Sequence, residues 1–195
     1  MTRPWGVTAI CVVAIILGGL GLLAAAGGAA AQALQPKFSA LQPDPKMAEL
    51  NAEFERRIYE ATGGLKTLYW ALLPFAFAAS GLLVAGGIKG LGLKGRALLG
   101  TAFWAGIAVD AASAALGAAT QLKSAEAMRW YADEIAAKFP MQAGATAALK
   151  MGATVGIAFA AAWLLAKVAY YVTGIIALRR PAVRAAFGSP APTAP

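Results

Sequence analysis

Residues 5–31 carry no charged side chain over 27 positions, and three further stretches, about 67–88, 97–118 and 151–178, are nearly as apolar. Together the four hold two charges, Asp110 and Lys167. Each stretch is near or above the ~20 residues that an α-helix needs to cross a hydrocarbon layer ~30 Å thick. In such a layer no water satisfies the backbone, so a segment of this length must close its hydrogen bonds within itself, as a helix does. The periods are not strand-like, and runs of Ala and Gly argue against a barrel. The expected fold class is all-α: an integral membrane four-helix bundle, one domain over residues 1–185.

Composition supports this and narrows the chemistry. Hydrophobic residues make up 59% of the chain and charged ones 13%, against roughly 25% charged in an ordinary soluble domain. Histidine is absent and Cys11 is the single cysteine. Disulfides within the chain, Cys/His zinc sites, haem ligation by His and Ser-His or Cys-His catalysis are thereby removed. The nine acids are not grouped for a carboxylate-only metal site. The expectation is a protein that is not an enzyme, with no catalytic residue, no cofactor and no metal. A net charge of +8 could suggest nucleic acid. The basic residues lie at membrane edges, however, so the lipid bilayer is the expected partner and nucleic acid is not.

The first stretch has a rival reading as a secretory signal, since "GGAAAQAL" offers an A-x-A cleavage pattern. Its apolar run of about 25 residues exceeds the ~7–15 of a signal core, so a retained helix is expected. Orientation follows from density of charge. Arg3, the linker "KGLGLKGR" and the tail "RRPAVR" supply basic residues without an acid, whereas the longer connections 32–66 and 119–149 mix Lys and Arg with eight of the nine acids. The positive-inside rule then places both termini in the cytoplasm. Residues 186–195, ending "GSPAPTAP", read as a disordered cytoplasmic tail.

Each long connection contains an amphipathic pattern. Asp44 and Pro45 suit the start of a helix over about 45–62, and Gly63-Gly64 suit its end. Met47, Leu50, Phe54, Ile58 and Ala61 form its apolar stripe. Over about 125–139, Ser124 suits the cap, Met128, Tyr131, Ile135 and Phe139 form the stripe, and Pro140 stops it. One amphipathic helix in each outer loop is expected, the two packing on each other or lying on the membrane surface.

Small residues mark the packing faces. Gly152, Gly156 and Ala160 follow the small-xxx-small pattern that lets helix backbones approach closely. Lys167 and Tyr171 continue that face. On the third stretch Gly106, Asp110, Ser113 and Gly117 share a face, and the first offers Ala14, Gly18, Gly21 and Ala25. Counting from the cytoplasmic ends at 1.5 Å per residue, Asp110 lies ~20 Å deep and Lys167 ~17 Å deep. An unpaired charge at mid-bilayer costs ~3 kcal/mol or more, so the two are expected to form an intramembrane ion pair. Tyr170 or Tyr171, Trp163 and Ser113 are candidates to share the polar load. The pair is read either as a clip between helices or as part of a proton, ion or substrate path. Pro74 is a candidate kink.

The opening "RPWGVTAICVVAIILGGLGLL" and the run "GLLVAGGIKGLGLKGRALL" resemble small uncharacterised four-pass proteins of bacterial inner membranes, in which a short basic turn joins the second and third crossings. The resemblance implies a multi-pass inner-membrane location and no activity. Two functions fit these features. One is a structural or accessory subunit assembling with itself or other membrane proteins. The other is a small transporter or channel using Asp110 and Lys167.

Overall fold

The computed structural model describes residues 5–34, 44–138 and 143–188, with side chains described over 5–31, 44–138 and 155–188. Every element among them is helical: α1 (Trp5–Leu34), α2 (Pro45–Leu91), α3 (Arg96–Lys138), α4 (Ala143–Arg179) and α5 (Pro181–Ala186). Helices α1 to α4 are each long and apolar enough to cross a membrane, which makes this a multi-pass membrane protein.

The expected separate outer helices are not separate. Residues 45–62 are the first part of α2, and 125–138 are the last part of α3. At 1.5 Å per residue these helices are ~70 Å and ~65 Å long, about twice a hydrocarbon layer. The start of α2 is built from the residues that signal it. The Asp44 carboxylate accepts the Lys46 amide at 2.9 Å, and its carbonyl accepts the Ala48 amide at 2.9 Å. Gly63-Gly64 do not end the helix. Glycine permits the left-handed stop without imposing it, and in a helix interior it costs only about 1 kcal/mol against alanine. Ser124 is likewise no cap: its hydroxyl donates to the Gln121 carbonyl at 3.2 Å inside α3. Pro74 sits within α2, which continues through it. Phe139 and Pro140 lie outside the described residues, as do residues 189–195 of the tail.

The turn between α2 and α3 is the tight connection "GLKG". Leu93 and Gly95 take φ of 54° and 74°. The Lys89 carbonyl accepts the amides of Gly92 and Lys94 at 3.1 and 3.0 Å. A left-handed leucine costs roughly 1–2 kcal/mol, and the packing of its side chain on the core offsets this. At the far end of α4, Pro181 pushes Arg180 into extended backbone (ψ 135°) and starts α5.

The chain divides into two compact units, with boundaries inside α2, α3 and α4. The first comprises residues 1–29, 72–111 and 164–195. Its core draws on every long helix: Val7, Cys11 and Ala14 from α1, Leu83 from α2, Leu99, Ala102 and Phe103 from α3, Tyr171 and Leu178 from α4. Leu93, Val183 and Phe187 pack against it from the turn and from the α5 end of the chain. Helices α1 and α2 meet backbone to backbone at glycine. A Cβ on Gly87 would stand 2.7 Å from the Cys11 carbonyl oxygen, and one on Gly18 2.7 Å from that of Ser80.

The second unit comprises residues 30–71 and 112–163. Met47 and Leu50 of α2 bury against Ile135 of α3, with Trp130 and Tyr131 beside them. Phe54 stacks on Tyr131 at 4.3 Å between centroids, and the Tyr131 hydroxyl donates to Asn51 Oδ1. The Arg57 guanidinium lies 4.1 Å over the Trp130 ring. Met128, expected on the apolar stripe, is exposed instead, while Ala127 and Ala132 are buried.

Candidate functional site: an ion pair between α3 and α4

Residues one helical turn apart on α3 and α4 define the site. On α3 they are Gly106 and Asp110; on α4 they are Lys167 and Tyr171, with Gly174 following. Residues at such spacing stack on one face. The Lys167 Nζ donates to Asp110 Oδ1 at 2.6 Å, and the Tyr171 hydroxyl donates to Asp110 Oδ2 at 3.0 Å. Both carboxylate oxygens are thus engaged by side chains of α4. The charged side chains are 16% exposed for Lys167 and 20% for Asp110.

Glycine makes the arrangement possible. A Cβ on Gly106 would meet the Tyr171 ring at 2.9 Å, so the absence of a side chain is what lets the ring lie against α3 and deliver its hydroxyl to Asp110. Gly174 does the same for the Phe103 ring, whose Cε2 would be 2.5 Å from an added Cβ. Phe103, fully buried, is then held between Tyr170, edge-on at 5.6 Å, and Tyr171, tilted at 6.0 Å. Tyr170 turns its hydroxyl the other way and donates to the Ile10 carbonyl of α1. One pair of adjacent tyrosines therefore ties α4 to both α3 and α1.

The other small residues singled out from the sequence stand elsewhere. Ser113 and Gly117 of α3 are exposed, and a Cβ on Gly117 would meet nothing within 4 Å. Gly156 and Ala160 of α4 are exposed too, with open space at Gly156. Gly152 belongs to the part of α4 whose surroundings lie outside the described side chains. Among the described glycines of that set, Gly106 is the one whose position a neighbouring helix crowds. The reason is that small residues permit close approach but do not supply the helix that approaches. Ser113 and Trp163 are exposed, and the hydrogen bond that shares the polar load comes from Tyr171.

Chemically, the site holds a cation, an anion and a phenol bonded to one another. Such an arrangement lowers the cost of keeping charge in a dry medium. Among the described residues, no three cysteine or acidic side chains converge where a metal ion could sit. The link from Tyr170 to Ile10 has no signal in the sequence, because a tyrosine that reaches a backbone carbonyl needs no particular residue type at the acceptor. Compared with family models, curated proteins and solved structures, the chain finds no match.

Proposed function

We propose that the protein is a non-enzymatic component of the bacterial inner membrane, a structural or accessory subunit that assembles with itself or with other membrane proteins, both termini in the cytoplasm. The observation that carries this reading is the closure of the Asp110 site. The one acid within the four apolar stretches has both oxygens bonded to α4, so it acts as a clip between two helices. A path for protons or ions calls for a relay of polar groups, whereas the Tyr171 ring that completes the site packs on Phe103 and against Gly106. Assembly is favoured by the exposed face of α4 over residues 155–160, where Gly156 and Ala160 leave room for a second helix backbone.

A transporter or channel is the second reading, favoured by the residual exposure of Lys167 and Asp110. Purification in mild detergent, with the particle mass measured by light scattering, separates the two. The structural reading expects a defined oligomer or a stoichiometric partner, and dissociation on Gly156→Leu. A lone monomer, whose proteoliposomes pass ions and stop doing so in the Asp110→Asn, Lys167→Met variant, would replace it with transport.

A further inference from the structure

An open cleft lies in the first unit between the start of α3 and the end of α4. It is lined by Arg96, Gly100, Trp104, Ile175, Leu178 and Arg179. Its two halves differ in chemistry. Arg96 and Arg179 stand at one end, while Trp104, 58% exposed, and Ile175 form an apolar wall. Along α3, Trp104 is ~12 Å from Arg96 at 1.5 Å per residue, so the cleft runs from a charged edge toward the apolar interior. Arg96 is the terminal residue of its helix, at the limit of the apolar run.

The charges at that edge have no acidic counterpart among the described residues of the unit. Asp110 is its single acidic side chain, and Lys167 and Tyr171 already engage it. The Nη1 of Arg96 is buried and has no hydrogen-bond partner among the described residues, and the same holds for Nε of Arg184 on α5. A buried guanidinium donor without an acceptor is unfavourable by more than a neutral group would be. An anionic acceptor suits such donors best, and guanidinium forks match phosphate oxygens in particular.

We propose that this cleft binds an anionic phospholipid, its phosphate on Arg96 and Arg179 and one acyl chain along Trp104 and Ile175. Basic pockets between membrane helices hold such headgroups. A free phosphate would use the arginines and leave the apolar wall bare, and a zwitterionic lipid would bring a cation back to the two guanidinium groups. The site depends on the chain lying in a bilayer and is independent of its assembly or transport role.

The test is thermal unfolding of the full chain in neutral detergent, titrated with phosphatidylglycerol, with phosphatidylcholine of the same acyl chains, or with inorganic phosphate. A saturable rise in Tm is expected with phosphatidylglycerol and not with the other two. Near a membrane surface each basic residue contributes about a fivefold gain in affinity for anionic lipid, so Arg96→Gln and Arg179→Gln should each weaken the titration by about that factor. Gly100→Leu keeps both charges and is expected to fill the cleft; a Cβ there meets nothing within 4 Å, so this variant is expected to fold even if the arginine variants do not. It should abolish the lipid response. An equal rise with phosphatidylcholine, a rise with phosphate alone, or a Gly100→Leu protein that responds like the parent would each overturn the proposal.

Discussion

Two ionic clusters in this chain use the same functional groups to different ends. In the second unit, Glu53 accepts from Arg56 and Arg57 at 2.9 Å, and Arg56 also reaches Glu60 at 3.1 Å, all within a few turns of α2. In the first, Lys167 of α4 meets Asp110 of α3, 57 residues away. The α2 cluster faces solvent, where ion pairs along one helix are screened and contribute little. The α3–α4 pair is mostly buried in a stretch that lipid surrounds. There the partners are needed less for what they add together than for what either would cost alone. Sequence-local pairs decorate a helix that would form without them; the distant pair fixes which helices adjoin.

Lys167→Met should break that contrast most severely. It leaves Asp110 charged without its cation, at an expected cost of ~3 kcal/mol or more read from unfolding in detergent. Adding Asp110→Asn should recover much of the loss. A coupling of ~1 kcal/mol or above means that the residues depend on each other, and additive effects would show that they do not. The glycines sharpen the comparison at a smaller scale. Gly174→Ala pushes a methyl into the buried Phe103 ring and should destabilise by about 1–3 kcal/mol, the range for overpacked cores. Gly156→Ala, with open space around it, should be neutral or slightly stabilising in detergent, because alanine favours helix over glycine. Equal penalties at the two sites would show that the two faces of α4 do not differ in what they meet.

The smallest effect is expected in acid. Hydrogen bonds from Arg56, then Arg57, hold the Glu53 carboxyl down from its usual 4.5 to about 2. A lowered pKa means that this group contributes stability above about pH 4.5 and loses it as pH falls toward 2. Circular dichroism between those values should show a slight loss of helix in the parent and none attributable to this group in Glu53→Gln. A large cooperative transition that the substitution removes would place Glu53 in a far more consequential role.

Several of these features are legible in the residues themselves. Asp44-Pro45 signals a helix start through side-chain chemistry that acts within three residues, and the cap forms as that chemistry dictates. Asp110 and Lys167 can be matched because depth along two straight helices is simple arithmetic, and a membrane leaves buried charges few other options. The stripes in α2 and α3 show which residues meet: Met47, Leu50 and Ile135 lie on them. Helix ends are less legible. Gly63-Gly64 and Ser124 are residues that allow a boundary, and permission is not a cause.

By itself, the sequence determined that the chain is helical, where its four apolar spans lie and which two charges must be accommodated within them. These follow from backbone hydrogen bonding and the cost of charge in hydrocarbon, which act on each segment alone. Only the tertiary structure decided that Gly106 and Gly174 hold tyrosine and phenylalanine rings while Gly117 and Gly156 hold nothing, that Tyr170 reaches the backbone of α1, and that Arg96 and Arg179 share a cleft. The physical reason is that periodicity names a face, whereas packing depends on the shape of the neighbour that meets it.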